Sequence, residues 1–131
     1  MKEMLIQAQV ENLDRVLEFV ETEAGELSAK ERSQIAIAAE EIFVNIARYA
    51  YEGESGEATV RIVADGGITI EFEDSGTPYD PLAKEDPDVT LPAEERQIGG
   101  LGVFMVKKMM DSVDYRREGN KNIMTIRKGC S

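Results

Sequence analysis

The chain has 131 residues and a formal net charge of −11, with 26 acidic against 15 basic residues, no histidine and one cysteine. The length suits one domain with a real core, and the acidic balance opposes binding to a phosphate backbone, so nucleic acid is not an expected partner. Without histidine, the Ser-His-Asp and Cys-His systems and most zinc sites are excluded, and acid–base chemistry falls to carboxylates, Lys or Tyr. Cys130, one position from the end, has no intrachain disulfide partner, which fits a reducing cytoplasm. Neither an apolar run of about 18 residues nor a signal-peptide pattern occurs, so a cytoplasmic protein without a membrane span is expected.

In chain order, Met4–Val10 alternates and predicts an edge strand. Asn12 is a candidate N-cap for a helix over Leu13–Ala24, with Leu13, Val16, Leu17 and Val20 on one stripe and Gly25 at its end. Ser28 followed three residues later by Glu31 is a capping-box pattern. The helix it opens runs to about Tyr51, about 23 residues or roughly 35 Å. Glu57–Ala64 and Ile68–Glu73 alternate about Asp65-Gly66-Gly67 and predict a hairpin. Thr77–Ile98 holds all four prolines, Pro78, Pro81, Pro87 and Pro92. A stretch of that length without periodicity is either a functional lid or a plain surface loop. Gly99-Gly100-Leu101-Gly102 then leads into a helix over Val103–Met110. Val113–Glu118 and Ile123–Lys128 form a second hairpin. The order β-α-α-β-β-lid-α-β-β predicts a single-domain α/β two-layer sandwich, a mixed sheet with helices on one face.

Three patterns carry chemistry. Glu41, Asn45 and Arg48 follow i, i+4, i+7 spacing and share a helix face at about 100° per residue. An acid, an amide and a base on an otherwise apolar helix suggest a polar ligand. The amide oxygen of Asn45 suits Mg²⁺, which takes few protein groups and fills its shell with water and phosphates. Asp74-Ser75-Gly76 ends a strand; a buried Asp can accept from an exocyclic amine, and glycine permits close approach. The Gly99–Gly102 run opens a helix whose backbone N–H groups can bind phosphate, although it is neither a Walker A loop nor GxGxxG. Singly, each pattern also fits a solvated helix face, a strand-ending turn or a hinge.

Their order and spacing carry a resemblance. EEIFVNIARYAY (residues 40–51), EDSGTPYDPL (73–82) and ERQIGGLGVFMVKKMM (95–110) resemble the N-box and two glycine boxes of the GHKL ATP-binding superfamily. Within it, the similarity is greatest to small anti-sigma factors that are also serine-protein kinases, the SpoIIAB/RsbW-like group, and it runs from about Leu5 to Lys128. The resemblance implies that Asn45 holds Mg²⁺ through the phosphates, that Glu41 is the general base toward a substrate serine, and that Arg48 lies near the phosphates. It implies that Asp74 binds the adenine amine with Gly76 beside the ring, and that Thr125 backs the adenine. Arg96 would reach the γ-phosphate, and Gly99, Gly100, Leu101, Gly102 and Val103 would wrap the phosphates. It further implies ATP as cosubstrate, a STAS-type anti-anti-sigma protein and a sigma factor as partners, and a homodimer. A non-catalytic ATP-gated binding module is the alternative.

Overall fold

The computed structural model describes residues 1–51, 54–78 and 101–129. Its elements are β1 (Lys2–Gln7), α1 (Leu13–Glu23), α2 (Ala29–Asn45), β2 (Glu57–Ala64), β3 (Ile68–Asp74), α3 (Leu101–Met109), β4 (Ser112–Glu118) and β5 (Lys121–Lys128). The five strands form one sheet in the order β1-β2-β3-β5-β4. In place of the expected mixture of pairings, all four are antiparallel. β1 lies at an edge, as its short alternating sequence suggested.

The layering follows from period two. Ala58, Val60 and Ile62 of β2, Ile68, Ile70 and Phe72 of β3, and Met124 and Ile126 of β5 project from one sheet face. These join Val16 and Val20 of α1, Ile35, Ala38, Ala39, Ile42 and Phe43 of α2, and Val106 of α3 in one buried core. Helices on one face of the sheet are therefore what the alternation demanded.

α2 opens as expected. Glu31 N–H donates to Ser28 Oγ at 3.1 Å, and Ser28 N–H donates to Glu31 Oε1 at 3.2 Å, which closes a capping box. α1 opens differently. A 3₁₀ turn over Val10–Asn12 feeds directly into it, and the Asn12 side chain donates backwards to the Gln7 carbonyl at 3.0 Å. Asn12 therefore stands at the N-cap position of α1, but its side chain ties the helix to β1 and makes no capping bond. The far end of α2 also departs from expectation, because Ile46–Ala50 winds as a π-helical turn. Such wider i→i+5 turns cluster at functional sites.

The other sheet face carries a mosaic of charges. Glu3, Arg61, Glu73 and Lys121 link across four strands, with Arg61–Glu3 at 2.7 Å, Arg61–Glu73 at 3.1 Å and Lys121–Glu73 at 3.0 Å. Burial acts to raise the Glu73 carboxyl pKa, but the hydrogen bonds from Arg61 and Lys121 outweigh it and hold the group below the usual carboxylate range. A depressed carboxylate contributes stability that is complete above its unfolded pKa and lost as pH falls through the lowered folded value. Chemical denaturation of Glu73→Gln is therefore expected to give lower stability than wild type at pH 7, with a flatter decline below about pH 4. Parallel curves for the two proteins across that acid range would contradict this.

Candidate functional site

The C-terminal half of α2, the ends of β3 and β5, β4 and α3 enclose a pocket. It is lined by Glu41, Ile42, Asn45, Ile46, Ala50, Phe72, Asp74, Val106, Tyr115, Asn122 and Met124. Most of these side chains are apolar. The polar ones stand apart in two groups, Glu41 and Asn45 on α2, and Asp74 with Asn122 at the strand ends. A largely apolar slot with a few placed polar groups is the usual form of a small-molecule site.

Asp74 is the last residue of β3 and shares the inward face with Phe72. It is only 6% exposed. Its Oδ1 accepts from Gly76 N–H at 2.9 Å and from Asn122 Nδ2 at 3.0 Å. Among the described residues no hydrogen bond reaches its Oδ2. A buried carboxylate with one committed and one open oxygen is built to accept a further donor.

Asn122 is the hub of this corner. Its Nδ2 also donates to the Thr77 carbonyl at 2.9 Å, and its Oδ1 accepts from the Tyr115 hydroxyl and from Arg117 Nη1 at 3.1 Å. Arg117 Nη1 also donates to the Gly76 carbonyl at 2.9 Å. The amide orientation follows from its neighbours, since its donor must meet the carboxylate and its acceptor the guanidinium.

The segment after β3 is locked onto the end of α2. Thr77 N–H donates to the Ala50 carbonyl at 2.9 Å. A Cβ on Gly76 would lie 2.1 Å from that same carbonyl oxygen. Glycine is needed here because strand and helix backbones touch. Tyr51 completes the junction: its hydroxyl donates to the Glu57 carbonyl and accepts from Ser75 N–H at 2.9 Å. Burial, together with the charge of Asp74, keeps its phenol pKa above the ordinary value despite the opposing Ser75 bond.

The expected site residues divide clearly. Glu41, Asn45 and Asp74 come together around one pocket, and Gly76 lies beside it against Ala50. Arg48 is exposed and does not line that pocket. The i, i+4, i+7 argument assumed uniform α-helix, and the π turn beginning at Ile46 breaks that periodicity between Asn45 and Arg48. Leu101, Gly102 and Val103 form the first turn of α3, where backbone N–H groups have no intrahelical partner. Arg96, Gly99, Gly100 and most of the expected lid lie outside the described residues.

Thr125 is a correction. It pairs with Glu71 and Asp114 and projects to the charged face, away from the pocket. Among the described residues its hydroxyl is buried there without a partner. Asn122 and Met124, on the opposite parity of the same strand, take the pocket side. Asn122, Tyr115 and Arg117 were missed, although the hairpin parity that places Met124 and Ile126 in the core also places Asn122 beside Asp74.

This arrangement, a five-stranded antiparallel sheet under helices with a slot between them, is that of an ATPase-type nucleotide-binding domain. A match to the histidine kinase-like ATPase domain spans residues 6–128, and the chain belongs to that family. It is 34% identical over 98 residues to the serine-protein kinase RsbW of Listeria monocytogenes serovar 1/2a, over 70% of this chain and 62% of that protein. The match thus spans less than two thirds of the relative's length. The fold is similar to the histidine kinase domain of the blue-light activated histidine kinase EL346 of Erythrobacter litoralis, with a TM-score of 0.59 at 16% identity over 92% of this chain and 60% of that one. It is also similar to the mycobacterial sensor histidine kinase MprB, with a TM-score of 0.52 at 19% identity over 95% and 97% of the two chains. No helix among the described residues is long and apolar enough to cross a membrane.

Two substitutions test the junction by thermal or chemical denaturation. Tyr51→Phe strands the Ser75 N–H and the Glu57 carbonyl and is expected to cost about 1–3 kcal/mol of stability. Gly76→Ala forces the Ala50 and Gly76 backbones apart and is expected to cost more than about 2 kcal/mol. Wild-type stability in Gly76→Ala would show that the close approach is relaxed at no cost.

Proposed function

We propose that the chain is an ATP-dependent serine-protein kinase that phosphorylates a STAS-type anti-anti-sigma protein and also sequesters a sigma factor. The observation that carries the nucleotide reading is the open Oδ2 of Asp74 at one end of an apolar slot whose other polar group is Glu41 with Asn45. A flat base carrying an exocyclic amine fits the slot between Ile42, Ile46, Phe72, Val106 and Met124, with the amine donating to Asp74. The name of the RsbW relative supports protein serine as the acceptor.

The donor set also suits Mg²⁺. Among the described residues no cluster of three or more acidic or cysteine ligands exists. A metal held here would rest on the Asn45 amide oxygen and otherwise on phosphates and water, as Mg²⁺ commonly does. When bound, the ion neutralises charge on the phosphates. Glu41, one helical turn before Asn45, is positioned to take the proton from an incoming serine hydroxyl. The serine oxygen forms the new P–O bond as the bond to the ADP oxygen breaks. The first turn of α3 supplies backbone N–H groups to the phosphates. In this reading Arg96, Gly99 and Gly100 complete the phosphate contacts, and Arg48 acts from outside the base slot.

Glu41→Gln is expected to bind ATP within about twofold of wild type and to lose phosphotransfer by at least about 100-fold, since general base catalysis contributes on that order. The assay is transfer of labelled γ-phosphate to a purified STAS protein, with ATP affinity measured by calorimetry. Full transfer by Glu41→Gln would remove Glu41 from the base role. Absence of transfer in the wild type, with ATP-dependent partner binding intact, would make the domain an ATP-gated binding module. Asn45→Ala is expected to abolish the Mg²⁺ dependence of ATP affinity. An unchanged Mg²⁺ dependence would rule out Asn45 as the metal ligand.

A further inference from the structure

We propose that the groove between α1 and the first half of α2 is a docking site for an amphipathic helix of a partner protein, with Arg32 taking a carboxylate from that helix. The groove shares no lining residue with the nucleotide pocket and stands independently of the nucleotide reading.

Two helical stripes build it. α1 contributes Leu17, Val20, Glu21 and Ala24. α2 contributes Ala29, Arg32, Ser33 and Ala36. Each set is spaced i, i+3, i+4, i+7 and so lies along one helix face. The two helices follow each other across the short connection 24–28 and pack together. Val20 and Ala24 form a buried floor, while Leu17 and Ala36 are half-buried walls. Ala29, Ser33 and Ala36 are small, so the α2 wall is low. The result is a trough of about 390 Å³ running with the helices. A third helix can lie in such a trough and set its own apolar stripe against Val20 and Leu17.

Arg32 says what that helix carries. Its Nε is buried without a hydrogen-bond partner, and among the described residues its side chain forms no ion pair. It is the fourth residue of α2, where a positive charge opposes the helix dipole. Burial and dipole both count against this cation, and no contact among the described residues offsets either. A guanidinium is matched by a carboxylate, which its planar fork can hold through two hydrogen bonds. Glu21 stands on the facing wall, so a bare anion is repelled as well as attracted. A helix with an acid toward α2 and a base toward α1 meets both walls with the opposite sign.

The test uses the full chain and two labelled, alanine-based helical peptides of about 15 residues, long enough to hold a helix. Both carry a Leu stripe flanked by Lys on one side; the other flank carries Glu in the first peptide and Lys in the second. Fluorescence anisotropy is expected to show the Glu peptide binding at least about tenfold more tightly. That order runs against the net charge of −11, which favours the Lys peptide elsewhere on the surface. Arg32→Glu is expected to reverse the preference and to melt no lower than wild type, since it removes no partner and suits the dipole. Ser33→Tyr, at an exposed position, fills the trough and is expected to abolish binding of the Glu peptide. A preference that survives Arg32→Glu, a large drop in that variant's melting temperature, or failure of wild type to bind the Glu peptide would each overturn the proposal. So would a change in the protein's own solution mass on Ser33→Tyr, which would give the trough to a second copy of the chain. Octanoate binding with the same Arg32 dependence, in the absence of peptide binding, would give it to a small carboxylate instead.

Discussion

The contact on which the site depends is the seam between the end of β3 and the end of α2. There the Ala50 carbonyl accepts from Thr77 N–H while the Gly76 backbone presses against the same peptide. Two elements far apart in sequence meet at van der Waals distance with no side chain between them. Asp74 sits two residues before this contact and Asn45 five residues before it. The separation between the Asp74 carboxylate and the Asn45 amide is thus set by backbone packing, which is stiffer than any pair of side chains. Tyr51 adds a second tie, gathering Ser75 and the start of β2 onto the same helix end.

The π turn belongs to this seam. A regular α-helix would carry its periodicity unbroken from Asn45 to Tyr51. The wider turn over Ile46–Ala50 changes the orientation of the last residues, and Ala50 and Tyr51 emerge against β3 and β2. Arg48 is left outside the slot as a result. Departures from ideal helix of this type concentrate where a backbone must serve a site.

Much of this was legible in the sequence, and the remainder was hidden for identifiable reasons. The capping box at Ser28 and both hairpins rest on local rules, and these elements formed where those rules put them. Glu41 and Asn45 lie within uninterrupted α-helix, so a single helical period was enough to pair them. Arg48 lies outside the slot because the helix type changes after Asn45, and such a change leaves no clear trace in composition. Asn12 looked like a cap because cap residues also make turns; which role it takes depends on where Gln7 lies, a tertiary fact. Thr125 was placed by resemblance alone, and strand parity contradicts it. The signal for Asn122 was present in the alternation of β5, but a polar residue at a strand start reads as turn chemistry until Asp74 is seen opposite it.

The hairpin of β4 and β5 has one more consequence. Glu118 faces Lys121 across the Gly119–Asn120 turn, with Gly119 at φ 59°, and this fixes Arg117 against Asn122 and Tyr115 against Met124. Because side chains alternate strictly, a one-residue insertion or deletion within either strand would exchange the inward and outward sets. Lys121 or Ile123 would then stand where Asn122 stands. The strand lengths of the hairpin therefore shape the pocket as much as the side chains it presents.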